Sequence, residues 1–180
     1  MDDGGEDVIL VDMDDREVGR AAKLPTHKMG YLHRAISVCV VDSAGRMLLQ
    51  RRASGKYHSA GLWTNACCTH PRPGEAADRA ASRRLREELG VVCPLNWMAR
   101  THYRASVAPD LVENEVVHLF IGLYGGAVRP DADEVDAFDW VARGLLLSQM
   151  RESPDAYSPW FRHYLSSFGE ALFRTPGTSI

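Results

Sequence analysis

Residues 75–90 read EAADRAASRRLREELG, and the fold is read outward from this stretch. At 100° per residue, Ala77, Ala81 and Leu85 form one narrow apolar stripe. Gly90 stands just past the last periodic residue, where a left-handed cap ends a helix. A helix over 75–89 is therefore expected. Glu88 falls on its apolar stripe, Arg84 lies at the edge and Glu87 points away. A carboxylate on a buried face is costly unless it is paired or metal-bound. In the last turn it also meets the unfavourable end of the helix dipole. Two readings of Glu88 follow: an i, i+4 ion pair with Arg84, or a metal ligand.

On either side of this helix the chain reads mainly as strand. Residues 8–11 and 36–41 are β-branched runs. Residues 42–45, DSAG, form a turn from which 46–50 returns, a hairpin pattern. Residues 62–68, 100–105, 112–123 and 138–141 also read as extended, and 145–151 and 159–173 as helical. Strands that outnumber helices and surround one central helix predict an α+β sandwich in a single domain, 1–180. The first residues and the tail from Thr175 read as frayed ends.

Bulk properties narrow the function. The chain has 180 residues, 45% hydrophobic and 25% charged, with a formal net charge of −3. Such a molecule is no electrostatic trap for nucleic acid, so any phosphate site must be built locally. The start, MDDGGED, is acidic and lacks a signal-like apolar run, and no stretch approaches the ~18 apolar residues of a membrane span. Cys39, Cys67, Cys68 and Cys93 show no CxxC spacing, which points to a reducing cytosol. A cytoplasmic protein is expected, without membrane or nucleic-acid partners.

Four further segments carry chemistry. In 112–121, VENEVVHLFI, alternate strand residues share a face, so Glu113 and Glu115 point with Val117, Leu119 and Ile121. Two carboxylates on an apolar face suggest a metal site or acid/base work; the plainer reading is a strand end reaching solvent. In 63–71, WTNACCTHP, Cys68 and His70 share a face and Cys67 points opposite. Cys68 is then either a small hydrophobe or a reactive or metal-associated thiol. His27 and His33 are isolated histidines of a type that joins carboxylates around Zn²⁺, Mn²⁺ or related ions. Residues 51–56, RRASGK, form either a solvated basic loop or a phosphate clamp.

Taken in order, Lys23, His27, His33, RRASGK, WTNACCTHP, RRLREELG, Tyr103-Arg-Ala, Glu113-Asn-Glu-Val and Ser158-Pro-Trp resemble the type I isopentenyl diphosphate isomerases. That family has the Nudix-like α/β/α sandwich, a mixed sheet flanked by helices. The resemblance runs from about Val8 to Trp160 and implies conversion of isopentenyl diphosphate to dimethylallyl diphosphate. It further implies that His27, His33, His70, Glu113 and Glu115 hold one divalent ion (Mn²⁺, Mg²⁺ or Zn²⁺). Glu88 and the Cys68 carbonyl would hold a Mg²⁺ bridging to the diphosphate. Cys68 and Glu115 would be the acid/base pair, Tyr103 would hydrogen-bond near Glu115, and Trp160 would face the isoprenoid carbons. Lys23, Arg52, Lys56 and Arg84 would neutralise the diphosphate, with Thr69 nearby. The implied partner is a small isoprenoid diphosphate, bound by a monomer or homodimer.

The competing enzyme is a Nudix hydrolase of a nucleoside diphosphate derivative. A hydrolytic box would carry Gly where Thr69 stands and Glu where Arg84 stands, and Cys68 would be idle. A non-catalytic, metal-stabilised binding module is a third reading, but structural zinc sites are usually closed four-ligand sets, often with cysteines.

Overall fold

The computed structural model describes residues 7–174. Its elements in chain order are β1 (Asp7–Val11), β2 (Glu17–Ala22), α1 (Lys23–Met29), β3 (His33–Val41), β4 (Arg46–Arg52), β5 (Trp63–Thr64), β6 (Cys67–Thr69), α2 (Ala77–Leu89), β7 (Leu95–Ala108), β8 (Leu111–Leu123), β9 (Val135–Ala142), α3 (Arg143–Glu152) and α4 (Pro159–Phe168). Short 3-10 turns cover Pro154–Ala156 and Gly169–Phe173.

The spine is β3. It runs parallel to β8 from His33↔Glu115 to Val41↔Leu123, and antiparallel to β6 from Ile36↔Thr69 to Val38↔Cys67. Its alternate residues enter two different cores, as a strand covered on both faces requires. Ile36, Val38 and Val40 pack with Ala80, Ala81, Leu85 and Leu89 of α2. Ala35, Cys39 and Val41 pack with Leu146 of α3 and Trp160, Phe161, Tyr164 and Leu165 of α4. The result is the expected α+β sandwich, with a mixed sheet between helical layers. Among the described residues, no helix is long and apolar enough to cross a membrane.

Several local expectations shift. The hairpin after residues 42–45 is paired only next to its turn, at Val41↔Met47; β4 then runs antiparallel to β9, from Arg46↔Ala142 to Arg52↔Val135. The extended stretch 62–68 is split into β5 and β6 because Asn65 and Ala66 bend inward and are fully buried. The helix read from residue 75 starts at Ala77, since Glu75 instead accepts from the Arg72 backbone N–H and pairs with Arg83. The last helix stops at Phe168, before Gly169 at φ 49°. The strand 100–105 lengthens to β7 because its flanks also pair with β8. The sequence reading missed β2 and α1: β2 is half exposed and does not alternate, and α1 is only seven residues long and contains Pro25. The termini read as frayed, 1–6 and 175–180, lie outside the described residues.

Gly90 caps α2 at φ +63°, and a Cβ there would sit 3.0 Å from Arg129 Cβ and 3.1 Å from its carbonyl oxygen. The left-handed conformation alone costs an L-residue about 1–2 kcal/mol. Gly90→Ala is expected to lower stability by at least that amount in urea unfolding, with an unchanged m-value. A wild-type midpoint would disprove the strain argument.

Candidate functional site

The β3–β8 register brings the first donors together by placing His33 beside Glu115. His70 follows β6, which also pairs with β3, and His27 comes from the last turn of α1. One ligand atom from each of His27, His33, His70 and Glu115 lies within 4.8 Å of the others. His27 Nδ1 is 2.7 Å from the Lys23 carbonyl and His33 Nδ1 is 2.8 Å from the Tyr31 carbonyl. A carbonyl only accepts, so each Nδ1 carries the proton and each Nε2 turns its lone pair to the cluster.

The inner atoms are crowded. His33 Nε2 is 3.1 Å from His70 Nε2 and 3.5 Å from Glu115 Oε1, and His70 Nε2 is 3.0 Å from the same oxygen. His27 Nε2 is buried with no hydrogen-bond partner. Buried polar atoms are rarely left so, and imidazole nitrogens with a carboxylate form a donor set suited to a divalent ion. The residues therefore fit a metal. Burial lowers the pKa of His27, and that of His70 to about 3, so both present neutral, ligating nitrogens at ordinary pH.

Glu113 and Glu115 are only 5% and 6% exposed, which rules out the reading of a strand end reaching solvent. Burial, then the Glu115 charge, push the Glu113 carboxyl up to about 8. Burial acts upward on Glu115 as well, but its close contacts with the His33 and His70 rings outweigh it and hold that carboxyl well below its ordinary value. Tyr103 faces Glu115 across the β7–β8 ladder, yet its hydroxyl donates to Glu113 Oε2. The hydrogen bond expected near Glu115 is therefore made one ligand over.

A single cavity adjoins this cluster. Its wall contains the cations Lys23, Arg52, Lys56 and Arg84, together with Thr69, Cys68, Glu88, Tyr103 and Trp160. The basic loop thus faces inward, as a clamp requires. Arg84 Nε is 2.6 Å from Glu88 Oε1, and Gln50 Nε2 donates to Glu88 Oε2 at 2.6 Å. The i, i+4 pair is thus realised, and a cation arriving at Glu88 must share or displace these partners. Burial raises the Glu88 pKa and Arg84 opposes the rise. The two cysteines separate as the strand geometry predicts: Cys67 is buried in the core under α2, whereas Cys68 packs at the core under α4 and reaches the cavity. Burial raises the Cys68 thiol well above its usual range, which favours the protonated form.

Two residues escaped the sequence reading. His58 is buried in the cavity wall, with Nε2 3.2 Å from Glu113 Oε1 and its ring edge-on to Trp160 at 5.9 Å. Its only signal was a histidine two residues beyond Lys56. Glu134 pairs with both Lys56 and Arg84, the latter at 2.7 Å. It comes from the loop before β9, and nothing in its local sequence marks it.

Residues 31–161 match the NUDIX domain model. Isopentenyl-diphosphate Delta-isomerase 1 of Aromatoleum aromaticum is 50% identical over 155 residues, covering 86% of this chain and 88% of that protein. The Burkholderia multivorans protein named isopentenyl-diphosphate Delta-isomerase is 48% identical over 164 residues, covering 91% and 93%. A crystal structure from Deinococcus radiodurans superposes with a TM-score of 0.75 at 17% identity, covering 91% of this chain and 99% of that one, which bears on the fold alone. By the domain match and by these identities over most of its length, the chain belongs to the Nudix family and, within it, to the isopentenyl-diphosphate Delta-isomerases.

Proposed function

We propose that this chain converts isopentenyl diphosphate to dimethylallyl diphosphate, the reaction named for its relatives. The observation that carries this reading is one cavity containing a cationic wall, a thiol, a carboxylate and an indole face. Arg84 and Thr69 stand where a phosphoanhydride hydrolase would have Glu and Gly, which counts against hydrolysis. The free cysteines suit a reducing cytosol, and the formal net charge of −3 argues against a nucleic-acid partner.

The double bond is unactivated, so a proton must add at the terminal carbon, making a tertiary cation, before the methylene carbon next to that cation loses one. We assign these two transfers to Cys68 and Glu115. Acid/base groups act when held within hydrogen-bond reach of the reacting atoms. Trp160 places its aromatic face toward the tertiary cation, a contact contributing about 2 kcal/mol when desolvated. Tyr103 holds Glu113, and the mostly buried wall keeps out water that would quench the cation to an alcohol. Lys23, Arg52, Lys56 and Arg84, with Thr69, bind the diphosphate, charge against charge.

His27, His33, His70, Glu113 and Glu115 would hold one divalent ion, Mn²⁺, Mg²⁺ or Zn²⁺, and Glu88 with the Cys68 carbonyl would hold a diphosphate-bound Mg²⁺. When bound, these ions supply positive charge that orients the carboxylates and offsets the diphosphate. We take the working unit to be a monomer or homodimer.

Incubation with isopentenyl diphosphate and Mg²⁺ is expected to give dimethylallyl diphosphate by NMR without release of phosphate. Phosphate release with the alkene unmoved would reject the reading in favour of hydrolysis.

Cys68→Ala and Glu115→Gln are each expected to lower kcat by roughly 10²–10⁴-fold. Cys67→Ala, in the opposite core, should keep most of it. Equal damage at both cysteines would refute the assignment of the thiol.

After chelation and dialysis, added Mn²⁺ is expected to raise Tm, because an ion bound only by the folded state stabilises it. His70→Asn should weaken that rise. Identical Tm curves with and without Mn²⁺ would remove the metal site from the proposal.

A further inference from the structure

Thr64 and Asn65 are 1% and 0% exposed and sit behind the cavity, not in its wall. Thr64 Oγ1 accepts from Trp160 Nε1 at 2.7 Å and from Ser158 Oγ at 3.0 Å, and lies 3.1 Å from Asn65 Oδ1. The direction of each bond is forced. An indole N–H only donates and an amide oxygen only accepts, so the Thr64 proton goes to Asn65 and Ser158 must donate.

The Asn65 amide cannot be reversed, because Nδ2 faces the carbonyls of Val38 at 2.8 Å and Cys67 at 3.3 Å. Nδ2 also donates to Ser37 Oγ at 2.8 Å, and that hydroxyl lies 3.0 Å from Cys68 Sγ. Cys68 Sγ is itself 3.5 Å from Asn65 Oδ1. The backbone supports the junction: Trp63 bridges to Tyr157, and Ser158 N–H donates to the Trp63 carbonyl.

We propose that Thr64 and Asn65 form a positioning element that fixes the Trp160 indole relative to the Cys68 thiol through one buried hydrogen-bond chain. The inference rests on the roles given above to Trp160 and Cys68. Those residues come from different elements, α4 and β6, and each must address the same small carbon skeleton. Valine has nearly the shape of threonine and would bury without any need for partners. A hydroxyl whose two acceptor sites and one proton are all used instead sets an orientation. Arg52 lies over the Trp160 ring at 5.2 Å, but the hydrogen bonds of the chain run to Trp160, Ser158, Ser37 and Cys68 and not to Arg52, so loss of the chain should act on kcat more than on KM.

The test compares T64V, T64S and W160F, the T64V/W160F double variant, and the controls W160L and C68A, with Tm measured for each. T64V is expected to lower kcat by about 10–100-fold, the scale of a small misplacement of reacting groups, with KM within about threefold. T64S keeps the hydroxyl and should stay within about threefold of the parent. In the W160F background the same Thr64→Val step should cost less, because the N–H it anchors is gone. Parent-like kcat in T64V, T64S as slow as T64V, or an equal cost in both backgrounds would each overturn the proposal. If T64V alone does not fold, the double variant against W160F decides: a residual fall in kcat at unchanged KM, through Cys68, supports it and no fall overturns it. Parent-like kcat in both W160L and C68A would reject the roles of Trp160 and Cys68 themselves, and the positioning element with them. Loss of kcat in those two controls with T64V unaffected would reject the positioning element alone.

Discussion

The parallel pairing of β3 with β8 is the constraint from which the rest follows. It sets His33 against Glu115 and holds β3 inside the sheet, where α2 covers one face and α3 with α4 the other, so the residues of that strand divide between two cores. The α2 core is mainly apolar, with Glu88 and its partner Gln50 as buried polar groups. The α4 core takes the carboxylates, the thiol and the aromatic rings, and opens as the cavity.

Charge in the cavity is balanced before any substrate arrives. Glu134 lies between Lys56 and Arg84, Arg84 reaches on to Glu88, and Gln50 takes the remaining Glu88 oxygen. Such a network holds the cations in place at low cost, because opposite charges at partly buried positions offset part of each other's desolvation. On the other side, His27, His33 and His70 converge on Glu115, and His27 and His58 on Glu113. The two carboxyl pKa values move in opposite directions because burial and the Glu115 charge raise Glu113, whereas burial of Glu115 is outweighed by its His33 and His70 contacts.

The sequence disclosed the parts of this design that obey a period. Alternation placed Glu113 and Glu115 on one face and parted Cys67 from Cys68, and helical spacing put Glu88 on the buried stripe beside Arg84. What it hid was set by contacts distant in the chain. His58 and Glu134 lie in loops without periodicity, and their roles appear only once β8 and β9 are folded against the loop after β4. The Tyr103 hydroxyl chose Glu113 over its direct cross-strand neighbour, a choice of rotamer that register alone does not determine. The short α1, which delivers His27, was too brief and too proline-interrupted to be recognised, although its histidine was.

The bend at Asn65 and Ala66 has a consequence for how such chains can vary in length. Because β6 is only three residues long and is gripped by β3, parity is conserved from the bend to His70. Loss or gain of one residue there would exchange the two neighbouring sulfurs, sending Cys68 under α2 and presenting Cys67 to the cavity. Natural insertions and deletions in descendants of this sequence should therefore avoid residues 65–70 and accumulate where strand parity is not at stake, such as the connection between β8 and β9. A spacing rule of this kind would be visible in an alignment as an ungapped column block, even where the residues themselves have drifted.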